Sequence, residues 1–86
     1  MNKKQISIDE AQEISDKLSE LPGVSQVFWL GVWDRLVEFY IITDSKESAE
    51  QNRPEIQRFA DEYEKGRFCV MPDESMDWGY STGATQ

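Results

Sequence analysis

The sequence predicts an α+β domain: a two-layer sandwich in the order α-β-β-α-β, with a three-stranded, mostly antiparallel sheet and two helices on one face. Two stretches carry apolar residues at helical spacings of three and four, and a run rich in Val, Phe, Trp, Ile and Tyr lies between them. The length of 86 residues allows one hydrophobic core and leaves no room for a second domain.

The first helix opens at Ser7-Ile8-Asp9-Glu10. Ser7 as N-cap and Glu10 three residues on form a capping box, each satisfying a backbone N–H of the other. Ile8, Ala11, Ile14, Leu18 and Leu21 then share one helical face, and Pro22-Gly23 stops the helix, which places it over 8–21. Val24 to Thr43 reads as a β-hairpin with its turn near Trp33-Asp34-Arg35-Leu36. No Asn-Gly or Asp-Gly fixes that turn, so the register is open to a slip of one residue. Asp44 to Arg53 is a polar loop with room for one helical turn. Pro54 fits position N1 of a second helix, where its missing N–H costs nothing. Ile56, Phe59, Ala60 and Tyr63 continue that helix, Arg58-Glu62 and Asp61-Lys65 balance its outer face, and Gly66 serves as a left-handed C-cap. Arg67 to Met71 is the last strand. The domain therefore spans 1–71, and residues 72–86 read as an acidic-aromatic tail, disordered at least at its end. Were Gln5-Ile6 a further strand, the order would become the βαββαβ of ferredoxin-like domains.

Composition narrows the function classes. Seventeen Asp and Glu against nine Lys and Arg give a net charge of −8 and a pI near 4.4. Phosphate backbones and anionic membranes repel such a surface, so no direct nucleic acid and no membrane are expected as partners; a basic protein is the electrostatic complement. The chain holds no His, which removes Ser-His and Cys-His nucleophile pairs and His metal ligands. Cys69 is alone and reads as a small buried hydrophobe. The Gly residues form neither G-x-G-x-x-G nor a P-loop, so no cofactor and no metal are expected. No apolar signal-peptide core follows Met1 to Gln5, and a cytoplasmic location is the expectation.

Two surfaces are candidates for binding. With a turn at Asp34-Arg35, Phe28, Leu30 and Val32 fall on one face of the hairpin with Val37, Phe39 and Ile41, an apolar set expected to be core. The opposite face then carries Val27, Trp29, Gly31 and Trp33 across from Leu36, Glu38, Tyr40 and Ile42. Trp29, Trp33, Leu36 and Tyr40 make that face the expected contact for a second copy or a foreign protein, unless the tail Met76-Asp77-Trp78-Gly79-Tyr80 covers it. The second surface is a carboxylate stripe, Asp9, Glu13, Asp16 and Glu20, within one narrow sector of the first helix and suited to a basic partner. Carboxylates of the loop, Asp44, Glu47 and Glu50, are the alternative site if the chain is a small enzyme.

Leu18-x-x-Leu21-Pro22-Gly23-Val24 leading into a strand resembles the helix–strand junction of heavy-metal-associated domains. Their C-x-x-C loop is absent, so metal carriage is not implied. The order helix, hairpin, helix, strand is similar to minimal nucleotidyltransferases, which place Gly-Ser after the first strand and Asp-x-Asp on the second. Here Val32 follows Gly31, and the second strand offers only Glu38 before Tyr40. That resemblance implies an inactive relative. The expected function is a non-enzymatic acidic interaction module: an inhibitor, an antitoxin or immunity-type protein, or a complex subunit. A purely structural homodimer is the other alternative.

Overall fold

The computed structural model describes residues 5–31, 36–74 and 78–83. Its elements are α1 (Ile8–Ser19), β1 (Val24–Gly31), β2 (Val37–Thr43), α2 (Lys46–Gln51), α3 (Arg53–Glu62), β3 (Gly66–Pro72) and β4 (Tyr80–Gly83). The strands pair in the order β1-β2-β3-β4. β1 runs antiparallel to β2, β2 parallel to β3, and β3 antiparallel to β4. The architecture is α+β as expected, but the sheet is mixed and four-stranded. The α2–α3 crossover returns the chain to the same end of the sheet, which is what makes β2 and β3 parallel.

α1 begins as its sequence dictates. The Ser7 hydroxyl accepts from the Glu10 backbone N–H at 3.2 Å, and the Glu10 carboxylate accepts from the Ser7 backbone N–H at 3.3 Å. Gly23 follows with a left-handed φ of 80°, open to glycine at little cost. The loop after β2 folds into α2, capped by Ser45, whose hydroxyl accepts from the Ser48 N–H at 3.0 Å. Asn52 joins α2 to α3; its buried Nδ2 donates to the carbonyls of Pro22 at 2.7 Å and Ser48 at 3.0 Å, clamping the helix junction to the turn after α1. Pro54 lies in the first turn of α3.

Several local expectations are corrected. The left-handed residue before β3 is Lys65 (φ 61°), and Gly66 is instead the buried first residue of β3. A Cβ there would lie 2.8 Å from Ile6 Cδ1, the free end of a side chain that can shift to admit it. On α3, Arg58 pairs with Glu55 at 3.4 Å and Asp61 accepts from Gln57 at 2.9 Å, contacts outside the set the sequence names. Gln5 to Ser7 form no strand, so the ferredoxin-like order does not arise. Within residues 72–86, Tyr80–Gly83 pairs with β3 as a fourth strand.

All three helices pack on one face of the sheet. Ala11, Ile14 and Leu18 of α1, Ala49 of α2, and Ile56 and Ala60 of α3 meet Val37, Phe39, Ile41, Phe68 and Val70 in one core. At its centre Phe39 and Phe68 stack with ring centroids 4.9 Å apart, both fully buried. Each such ring contributes about 1.5–3 kcal/mol by leaving water.

Candidate functional site

The register of the first hairpin decides which side chains are available. Trp29 lies opposite Phe39, Val27 opposite Ile41 and Phe28 opposite Tyr40. Each pairing is one residue away from that set by an Asp34-Arg35 turn. A one-residue slip sends every side chain of the strand to the other face. Trp29 and Val27 therefore pack against the core, while Phe28 and Leu30 are 44% and 48% exposed. The expected placement of Trp29 on the open face is overturned, as is that of Phe28 and Leu30 in the core. Val32 and Trp33, whose faces followed from the same register, lie outside the described residues. Leu36, half-buried, directly precedes β2.

β2 keeps the face assignment its sequence implies. Val37, Phe39, Ile41 and Thr43 are buried, and Glu38, Tyr40 and Ile42 look the other way. β3 repeats the pattern, with Arg67, Cys69 and Met71 between buried neighbours. The open face is thus built from Gln26, Phe28 and Leu30 of β1, Glu38, Tyr40 and Ile42 of β2, Arg67, Cys69 and Met71 of β3, and Ser81 of β4. No described helix lies over it. A shallow depression lined by Cys69, Met71, Trp78, Gly79 and Ser81 extends it toward β4.

Its polar centre is internally matched. The Tyr40 hydroxyl donates to Glu38 Oε1 at 2.6 Å, and Arg67 donates to Glu38 Oε2 at 3.4 Å. The hydrogen bond to Glu38, followed by burial, raises the Tyr40 pKa above its ordinary 10.0. Phe28 meets the Tyr40 ring edge-on with centroids 5.5 Å apart. Cys69, expected to be buried, is half-buried on this face; burial pushes its thiol above the ordinary 9.0, so it stays protonated near neutrality. One carboxylate and one guanidinium cancel, which leaves this face neutral on a chain of net charge −8.

The acidic stripe sits elsewhere. Asp9, Glu13, Asp16 and Glu20 are all exposed, on the side of α1 away from Ala11, Ile14 and Leu18. Asp16 accepts from Gln12 at 3.0 Å, and Glu20 is the C-cap. Because α1 covers the other side of the sheet, stripe and open face point in opposite directions. They cannot form one continuous interface.

Trp78 borders the open face only at its β4 end, and the Tyr80 ring is turned toward α2. Tyr80 donates to the Ala49 carbonyl at 2.7 Å, Arg53 lies 3.8 Å over its ring, and Lys46 lies 4.9 Å over Trp78. Both rings are thereby held beside α2, at the edge of the sheet far from β1; Met76 and Asp77 lie outside the described residues. In the α2 region, Glu50 is bound by Arg53 at 2.8 Å, and that hydrogen bond lowers its pKa. Asp44 and Glu47 are exposed. Among the described residues no cluster of three or more His, Cys, Asp or Glu has metal-binding geometry, and no helix is long and apolar enough to cross a membrane.

Sequence reasoning missed Phe28, Leu30, Arg67, Cys69 and Met71 as members of the exposed face. The four consecutive apolar residues Val27-Phe28-Trp29-Leu30 hide the alternation that would have assigned them. No protein-family model, no curated protein and no solved structure matches the chain.

Proposed function

We propose that this chain is a non-enzymatic protein-interaction module whose contact surface is the open face of its sheet. One observation carries this reading: Phe28 and Leu30 stand 44% and 48% exposed beside Tyr40 on a face with no net charge. A sheet covered by helices on one side normally shows water a polar second side. Contiguous exposed apolar residues on a small domain mark a binding surface, and a buried Tyr is a favoured anchor in such contacts. The module fits the role of an inhibitor, an antitoxin or immunity-type protein, or a complex subunit. Asp9, Glu13, Asp16 and Glu20 form a separate strip on the far side, suited to a basic partner.

The non-enzymatic part rests on chemistry already engaged. Glu38, the carboxylate on the open face, is held by Tyr40 and Arg67, and Glu50 is held by Arg53. A tagged wild-type chain captured from its native lysate is expected to bring down a stoichiometric protein or a second copy of itself. A Phe28→Lys, Leu30→Lys variant with an unchanged circular dichroism spectrum is expected to lose it. Retention by that variant, with loss in a Glu13→Lys, Asp16→Lys variant, would move the contact to the acidic strip.

A further inference from the structure

The two edges of the sheet differ. β4 is described over four residues, Tyr80–Gly83, the last with a left-handed φ of 104°. β1 is an eight-residue edge, Val-Ser-Gln-Val-Phe-Trp-Leu-Gly, with no charge and no proline. Proteins usually guard such an edge with lysine, proline or a bulge, because its free N–H and C=O groups invite another strand. The register shift between Val24 and Gln26 guards only one end, with Ser25 as the extra residue. From Gln26 to Gly31 no described residue pairs with or charges this edge.

We propose that two copies of this chain pair antiparallel through their β1 edges, across a two-fold axis at Phe28, to form one continuous sheet with both open faces on the same side. The pairing goes beyond reading the open face as an interaction surface: it meets that face chiefly at Phe28 on the axis, and it names a second copy as the partner of the edge. Face matching, the position of the bulge and side-chain size on the core side, where centring on Trp29 would set Trp29 against Trp29, select this register. An antiparallel pairing keeps faces matched only when the paired residue numbers sum to an even value. Centring on Val27 sets Leu30, which points to the open side, against Val24, which the bulge has turned to the core side opposite buried Thr43. Centring on Phe28 leaves the bulge outside the matched span. It sets Phe28 against Phe28, Trp29 against Val27 and Leu30 against Gln26, large against small on the core side and like face against like face throughout.

Charge points the same way. The described carboxylates lie off β1, and Glu38, the one described acid on the open face, is matched by Arg67. Two copies of a −8 chain repel each other overall, and this uncharged edge is where that repulsion costs least. A basic partner has no attraction to β1 and is drawn instead to α1. Pairing through β1 also brings the two α1 helices, which pack chiefly on β1, to the same side of the joined sheet. Their acidic stripes then repel across the axis, so added salt strengthens the dimer. A complex with a basic protein weakens with salt.

Sedimentation of the purified full chain over a wide concentration range, at low and high salt, tests this. A monomer–dimer equilibrium that tightens with salt is expected. Phe28→Lys, which sets two like charges face to face at the axis, is expected to be folded and monomeric. In a Cys69→Ser background, mild oxidation should link Phe28→Cys chains into dimers, because that position meets itself, and should not link Leu30→Cys chains. A wild type that is monomeric under all conditions overturns the proposal, as does equal linking at both positions. If that monomer binds a foreign protein and Phe28→Lys abolishes the complex, self-pairing is overturned while the open-face reading stands. If no foreign protein binds either, both fall.

Discussion

The covered face of the sheet and its open face are made by the same strands, yet they answer to different demands. On the covered side, Phe39, Ile41, Phe68 and Val70 are fully buried against three helices, and their identities are set by packing. On the open side, Phe28 and Leu30 remain about half in water, Phe28 touches Tyr40 edge-on, and no described helix covers them. The contrast is sharpest within β1, where Phe28 and Trp29 are adjacent in sequence and on opposite sides of the sheet. Apolar character left in water on that side is what the proposed interaction surface rests on.

Substitutions separate the two faces by size of effect. Phe68→Ala, which removes one ring of the central stack, is expected to cost about 3–5 kcal/mol in urea unfolding. That is much of the roughly 5–15 kcal/mol a domain usually holds. Trp29→Ala should cost about 2 kcal/mol or more, since the ring packs on the core, while Phe28→Ala should stay within about 1 kcal/mol. Equal costs for this pair would mean that the register of β1 is other than described. Tyr80→Phe deletes the bond to the Ala49 carbonyl that fastens β4 to α2, and a loss of about 1 kcal/mol is expected in the same measurement.

The smallest effect is expected from pH. Tyr40 titrates above its ordinary 10.0, chiefly because its hydroxyl donates to Glu38. An acid whose folded pKa is raised contributes its stability in full below the unfolded value and loses it as pH rises through the folded value. Stability should therefore fall above pH 10.0. Tyr40→Phe should make that fall shallower without abolishing it, because burial also raises Tyr63 and Tyr80. An unchanged alkaline slope in Tyr40→Phe would mean that the bond to Glu38 is not kept in solution.

How much of this was legible in the chain varies with the kind of signal. α1 was readable from Ser7, Glu10 and the spacing of its apolar residues, because capping and periodicity are local. β2 was readable because Glu38 marks its open side among apolar neighbours. β1 was readable as a strand and not as a face: its run of apolar residues offers no polar mark, and the sequence of residues 32–36 carries no turn motif that sets a register. Trp29 was thereby assigned outward and Phe28 inward. β4 left no trace in sequence. Tyr-Ser-Thr-Gly has no strand pattern of its own, and it is held by Tyr80 on Ala49 and Thr82 on Gln57, contacts that exist only once α2 and α3 are in place. Composition alone does not decide the acidic stripe, since a solvated helix face and a docking strip carry the same residues.

The most direct test sets one variant from each face side by side, with unfolding and sedimentation measured on both. Ile56→Val removes a methylene from the core, and Phe28→Lys, Leu30→Lys charges the open face. The first should lose about 0.5–1.5 kcal/mol of stability and keep the wild-type association. The second should keep monomer stability within about 1 kcal/mol and lose association. The opposite pattern, with an unstable face variant and an association indifferent to it, would make Phe28 and Leu30 part of the fold and leave the open face without the role given to it here.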